Sequence, residues 1–367
     1  MKRVGHIHEW MLRTDNIIHA MIKASRGHRS DRRVARVMAH REEYAERLRD
    51  MLAAENVALK PDNHFTRYES ASGKTREITS QHFFPNKVLD WLITNALIEY
   101  GVVSRPLVDG CVGSIPKRGV AKGQKLVMKG FNIKGAKYIL QTDIRHFFQN
   151  IDTGILMHKL SRKIKDPKFL SLLGKLLSVG NGGTGKGLAL GYYSSQWLSN
   201  FYLCSFDQSI LQNFKPAVYI RYVDDIVVFM TNRRKARRLL DYMREQATAL
   251  GLEIKPNWSL FARNDRPLDF LGFRFYTSWD VRMRKRNFYR LKRITKHLAQ
   301  QLSSKGKLCV DTCRIWVSLY GWLIHIRGGR SVYLKQLKPL IPKKRILKAI
   351  GTCDSVYAKT GRKLAYC

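Results

Sequence analysis

Asp224 and Asp225 stand side by side in the run Tyr219-Ile220-Arg221-Tyr222-Val223-Asp224-Asp225-Ile226-Val227-Val228-Phe229. Apolar and β-branched residues flank the pair on both sides, a pattern that predicts two short strands joined at a tight turn. Two adjacent carboxylates backed by an apolar ribbon repel, and each raises the pKa of the other. A divalent cation relieves both. The pair therefore points to a metal site.

A third carboxylate has a matching context. Tyr138-Ile139-Leu140-Gln141-Thr142-Asp143 is an apolar strand ending in an acid, and a turn and helix follow over Ile144 to Asp152. If the two strand regions are neighbours in one sheet, Asp143 and Asp224 converge. Carboxylates so placed clamp two divalent ions about 4 Å apart and stabilise the attacking and leaving oxygens of phosphoryl transfer. Magnesium suits a site of few carboxylates completed by substrate phosphates.

The charge balance supplies a substrate class. Of 367 residues, 67 are Lys or Arg and 28 are Asp or Glu, a formal charge of +39. Self-repulsion of that size calls for a polyanion, and nucleic acid bound in a salt-dependent way is the natural one. A hydrophobic fraction of 44% is globular, and the length predicts two or three subdomains. The six cysteines form no C-x-x-C pair, so reduced thiols rather than a zinc knuckle are expected. No signal-peptide core follows Met1 and no apolar run approaches a membrane span. A soluble, cytoplasmic protein with no membrane contact is the expectation.

Val34 to Leu52 has helical periodicity and is decorated by Arg32, Arg33, Arg36, Arg41, Arg47 and Arg49. That face is either solvated or RNA-contacting. Pro61 to Ser80 reads as loops and a short strand, and Phe84 to Tyr100 as a buried helix. Gly110 to Gly123 combines glycines, a proline and cations, as in a loop whose backbone approaches phosphate. Gly180 to Gly187 is a second glycine-rich loop, followed by a helix over Leu188 to Leu203. Arg233 to Leu250 reads as a polar helix and Leu252 to Lys255 as a strand. From Arg282 onward the chain is basic and helical. This order predicts an α+β fold, a mixed sheet with helices on one face.

Four segments in order, Asp143 to Phe148, Gly191 to Gln196, Tyr222 to Asp225 and Phe270 to Phe273, resemble the successive palm motifs of reverse transcriptases. The resemblance covers roughly residues 60 to 280. It implies a right-hand polymerase fold: a basic helical N-terminal extension (1–60), fingers and palm (61–280), and a helical thumb and tail (281–367). It further implies that Asp143, Asp224 and Asp225 are catalytic. With the Ile144 carbonyl they would hold two Mg2+, with Mn2+ as the alternative. Phe148 falls at the family's steric gate, although a core aromatic is the plain structural reading. Lys117, Arg118, Gly191, Gln196 and Lys255 would meet the nucleotide. Leu271 and Gly272 would form the primer grip. Arg284, Lys285, Arg286, Arg290, Lys292 and Arg293 would meet nucleic acid. Ile315, Trp316 and Trp322 read as thumb core, with stacking on bases as the lesser reading.

The chain also departs from the family pattern. Leu190 stands where many relatives carry glutamine, which puts fidelity in question. Asn257 and Trp258 stand where relatives often carry the acid-donating lysine, leaving Lys255 nearest. No ribonuclease H or endonuclease constellation follows the Phe270 to Phe273 motif. Leu190-Gly191 with Ser195-Gln196 resembles two bacterial groups, the defence-associated ("unknown group") enzymes and those of diversity-generating retroelements; the Gly113 to Gly119 loop is closer to the first, and the N-terminal helical layout is compatible with the second. The implied function is to copy a structured non-coding RNA into cDNA from dNTPs, in antiphage defence or in diversification. An accessory protein or a second copy of the chain would be further partners. A structured-RNA-binding protein with little polymerase activity and an RNA-dependent RNA polymerase are the other readings; the intact carboxylates weigh against the first and Phe148 against the second.

Overall fold

A computed structural model describes residues 3–28, 31–69, 74–337, 340, 343–360 and 366 of the chain. It divides into two compact units, one of Met1–Gly123 with Gly135–Leu260 and one of Gln124–Lys134 with Phe261–Cys367.

The first unit opens with helices α1 (Ile7–Met11), α2 (Thr14–Ala24), α3 (Arg32–Ala39) and α4 (Arg41–Ala53). The single helix expected over Val34 to Leu52 is broken, because His40 takes a non-helical φ of −114° and ψ of 37°. Val34, Val37, Ala45, Leu48 and Leu52 still form the buried stripe. Strands β1 (Asn63–Glu69) and β2 (Lys74–Ser80) form an antiparallel ribbon where loops and one short strand are expected. Helix α5 (Val88–Glu99) buries Leu89, Leu92, Ile93, Ala96 and Leu97; a helix apolar nearly all round belongs inside. The residues of α6 (Gly119–Asn132) divide between the two units.

Strand β3 (Tyr138–Asp143) leads into α7 (Phe147–Asn150), α8 (Thr153–Ser161) and α9 (Pro167–Gly180). Side-chain caps start α8 and α9: Asp152 accepts from the Ile155 N–H at 2.9 Å, and Asp166, followed by Pro167, accepts from the Phe169 N–H at 3.1 Å. The helix expected over Leu188 to Leu203 starts only at Tyr193 and forms α10 (Tyr193–Tyr202). Helix α11 (Cys204–Phe214), β4 (Val218–Tyr222), β5 (Asp225–Met230), α12 (Arg233–Thr248) and β6 (Ser259–Ala262) complete the sequence.

The main sheet has the order β4-β5-β3-β6, with β5 antiparallel to both β3 and β4. A parallel bridge joins Cys111 to Arg221 beside β4. Ile226, Val228 and Met230 share a core cluster with Leu239, Leu240 and Met243 of α12. Val227 and Phe229, which point to the other face, are fully buried as well. The unbroken apolar run of β5 is the mark of a strand covered on both sides.

The second unit holds the antiparallel strands β7 (Leu268–Phe270), β8 (Phe273–Phe275) and β9 (Val281–Met283). Helices α13 (Lys285–Lys305), α14 (Val310–Gly321), α15 (Arg330–Leu337) and α16 (Lys343–Thr360) follow. Trp316 is buried between helices and donates its indole N–H to Thr295 Oγ1 at 2.8 Å, whereas Ile315 is exposed. Among the described residues, no helix is long and apolar enough to cross a membrane.

Candidate active site

Tyr222 pairs with Asp225 across the β4–β5 hairpin, leaving Val223 and Asp224 as a two-residue loop. Such loops need positive φ at one or both central positions. Val223 supplies it at 61°, a strained value for a β-branched residue. Asp143 stands directly opposite Asp225 in the β3–β5 ladder, and cross-strand partners share a face about 5 Å apart. The Ile144 N–H reaches the Asp224 carbonyl at 3.3 Å. Burial, reinforced by the Asp143 carboxylate, pushes the Asp224 carboxyl up to about 6.

Lys255 enters this cluster through its own backbone. Ile254 bridges to Ile144, the Lys255 N–H donates to the Asp143 carbonyl at 2.9 Å, and the Arg145 N–H donates to Glu253 at 2.8 Å. The strand expected at Leu252 to Lys255 is thus a short bridge that sets the ammonium of Lys255 on Asp143 Oδ2. Asp143 Oδ1 is buried and has no hydrogen-bond partner.

Behind the turn lies a group that the sequence reading passed over. Arg221 and Asp207 are both fully enclosed, at 0% exposure. The guanidinium donates to Asp207 Oδ1 at 2.8 Å and Oδ2 at 2.6 Å, to Asn200 Oδ1 at 3.0 Å, and to the Val223 carbonyl at 2.8 Å. Burial alone would push the guanidinium toward its neutral form; the Asp207 carboxylate outweighs burial and holds its pKa above the usual arginine value. Tyr219 adds a hydroxyl to Asp207 Oδ1 at 2.6 Å. One rigid fork thereby fixes the strained carbonyl next to Asp224. A lone arginine inside an otherwise apolar strand was the available signal, since a buried charge demands a partner.

The glycine-rich loop approaches protein backbone. A Cβ on Gly110 would lie 2.1 Å from the Tyr219 carbonyl, and one on Gly113 would lie 2.5 Å from the Val223 nitrogen. Val112 N–H donates to Arg221 and Arg221 N–H to Gly110, both at 2.9 Å, so residues 110–112 run beside β4. Arg118 donates to the carbonyls of Val108 and Cys111 at 2.7 Å; Lys117 is exposed, with φ of 64°. Gln196 accepts from Ser114 Oγ at 2.7 Å. Gly191, at φ 131°, passes 2.1 Å (as a built Cβ) from the Thr79 carbonyl, where the Thr79 N–H also meets Leu190 at 2.8 Å. Phe148 is half-buried against Phe147, ring centroids 5.5 Å apart.

That stitching places the β1–β2 ribbon at the Leu190–Gly191 loop. On it, Arg67 lies directly opposite Arg76. Both are exposed. Sequence reading missed this pair because a stretch read as loops and one short strand carries no register.

Leu271 and Gly272 form the tight β7–β8 turn, both at positive φ (52° and 83°). A Cβ on Gly272 would meet the Trp322 ring at 2.4 Å, so Trp322 packs under the turn. Arg284 is ion-paired with Asp269, and Lys292 donates to Gln336 at 3.1 Å. Lys285, Arg286 and Arg293 are exposed on α13 and Arg290 is half-exposed. These residues belong to the second unit and the carboxylates to the first.

Asp143, Asp224 and Asp225 offer oxygen ligands, crowded like charge and an orphaned buried carboxylate oxygen, a donor set that fits a hard divalent cation. Among the described residues, no three His, Cys, Asp or Glu side chains are already drawn together as a cage; the Lys255 ammonium supplies the positive charge at Asp143.

The sheet, its Tyr-x-Asp-Asp hairpin and the opposed strand-end aspartate gather three carboxylates at one end of the sheet. The family model for reverse transcriptase (RNA-dependent DNA polymerase) matches residues 60–275, more than half of the chain. The chain belongs to the reverse transcriptase family and has its polymerase fold. No curated protein matches it in sequence. Among solved structures it is similar to apo telomerase from Candida tropicalis truncated from its C-terminal domain, at 11% identity and a TM-score of 0.42. The match covers 61% of this chain and 54% of that one, so the chain spans about half the length of that telomerase; the assignment rests on the family model.

Proposed function

We propose that the chain is an RNA-directed DNA polymerase that extends a primer on an RNA template with dNTPs. The observation that carries this reading is the register of Asp143 against Asp225 with Asp224 at the adjoining turn. Asp143, Asp224, Asp225 and the Ile144 carbonyl would hold Mg2+, which when bound lowers the pKa of the primer hydroxyl and neutralises the triphosphate. The protein's own groups do the rest by positioning. Arg221 holds the turn. Arg67 and Arg76 receive the triphosphate as planar forks suited to phosphate oxygens. The Phe148 ring excludes a ribose 2′-hydroxyl. Lys255 keeps a proton-bearing ammonium beside the reacting centre.

Leu190-Gly191 with Ser195-Gln196 fits the defence-associated and the diversity-generating enzymes alike; on the resemblance of the Gly113 to Gly119 loop, the chain groups with the defence-associated ones, and a structured non-coding RNA is its template. Primer extension tests the core reading. Wild-type protein with Mg2+ and an RNA-templated primer incorporates dNTPs over rNTPs, and Phe148→Ala narrows that preference. No extension under any primer geometry would overturn the polymerase reading, and unchanged discrimination would remove Phe148 as the gate.

A further inference from the structure

The positive charge of this chain is concentrated in places the catalytic site does not use. Helix α12 packs Ala236, Leu239, Leu240, Met243 and Ala247 inward. Its outer face opens with Arg233, Arg234, Arg237 and Arg238, all exposed. No acidic residue lies in its first turn. Among the described residues, none of these four side chains forms an ion pair or hydrogen bond; the helix's pair is Arg244 with Asp241, at 3.3 Å, further along.

This arrangement repels itself twice. Arg233 with Arg237 and Arg234 with Arg238 are like charges at the i, i+4 spacing, where opposite charges stabilise. All four also sit in the first turns, where the helix dipole favours anions. A face selected only for stability would carry the opposite sign.

The register fixes where the cluster lies. Strand β5 leaves the catalytic turn at Asp225 and ends at Met230, opposite Tyr138. Asn232 caps α12, which runs back until residues 252–255 return to Asp143. The start of α12 is therefore at the far end of the sheet from the carboxylates, roughly 17 Å away along the strand. Lys137, whose N–H meets the Met230 carbonyl at 3.0 Å, and Lys215, just before β4, are exposed at the same end.

We infer that Arg233, Arg234, Arg237 and Arg238, with Lys137 and Lys215, form a second docking surface that takes the phosphate backbone of a duplex RNA stem outside the copied stretch. No aromatic residue interleaves the four arginines, so the surface tracks phosphates rather than stacking unpaired bases. Guanidinium forks match phosphate oxygens. The choice of RNA rests on the polymerase reading; the phosphate chemistry does not.

The test measures binding of full-length protein to a labelled, blunt-ended RNA hairpin across salt. In Arg233→Gln/Arg234→Gln/Arg237→Gln/Arg238→Gln, affinity at about 100 mM salt falls at least tenfold, and the slope of log affinity against log salt drops by roughly two to four. The fourfold Arg→Lys variant keeps affinity to within about threefold, because it keeps the charge. Melting temperatures matching the wild type show that both variants fold, and Arg233→Gln/Arg237→Gln gives about half the slope change if the fourfold variant does not. An unchanged slope and affinity in the Gln variant overturns the proposal, as does a Lys variant as weak as the Gln variant. A blunt DNA hairpin bound as tightly as the RNA overturns the choice of RNA. Primer extension by wild-type protein is scored separately, so the polymerase reading and the docking surface fail independently.

Discussion

Arg221 and Asp207 are a fully enclosed ion pair, and enclosing two charges is costly unless every donor finds an acceptor. Here the fork is satisfied by Asp207, Asn200 and the Val223 carbonyl, so the pair spends its strength on holding one strained turn in place. Arg221→Met leaves Asp207 charged with the Tyr219 hydroxyl but no cation, and urea unfolding is expected to show a loss of about 3–5 kcal/mol. Arg221→Lys is expected to recover little of it, since a point charge cannot span three acceptors in a plane. A loss under 1 kcal/mol for both would mean the network is not structural. The adjacent carboxylates were legible because such a pair has few reasons to exist without a cation. Arg221 was legible only as an oddity, since one sequence does not show which carboxylate answers it.

Among the elements, α10 and the β1–β2 ribbon meet near the Leu190–Gly191 loop, the side proposed for the nucleotide. The N-terminus of α10 is held by Asp90 of α5, which accepts from the N–H groups of Tyr193 at 2.7 Å and Ser194 at 3.1 Å. Burial pushes Asp90 up to about 6 against those hydrogen bonds. A carboxyl whose pKa rises on folding binds its proton more tightly in the native state, so its contribution is fully present below about pH 4 and is lost as pH rises through about 6. Relative to wild type, Asp90→Asn should therefore gain stability between pH 4 and pH 7, on the order of 2 kcal/mol. Parallel stability–pH curves for the two proteins would contradict this. On the ribbon, Arg67→Ala with Arg76→Ala is expected to raise KM for dNTP about tenfold or more, the worth of one or two charge-assisted hydrogen bonds, and steady-state kinetics on a fixed primer–template would show it. The order of strands and helices around the carboxylates was readable from periodicity. The glycines of 110–113 announced a close approach but could not say to what, and it is the backbone of β4 and the catalytic turn.

At the scale of the whole molecule, the chain carries +39 on two compact units. That charge pointed to nucleic acid as a class, the partner that the reverse transcriptase family also implies. Its distribution was hidden, because the stripe on α13 and the cluster on α12 are separated only once helices have faces. The carboxylate cluster is the opposite case: burial and the Asp143 carboxylate disfavour the charged form of Asp224, a cost to the fold that the proposed metal would offset. The direct test is Asp224→Asn, measured for melting temperature and for RNA-templated dNTP incorporation on the same preparation. The polymerase account predicts a melting temperature equal to or above that of wild type, with incorporation reduced at least a hundredfold, the scale of about 3 kcal/mol of transition-state stabilisation. Incorporation at the wild-type rate, with the fold intact, would contradict it.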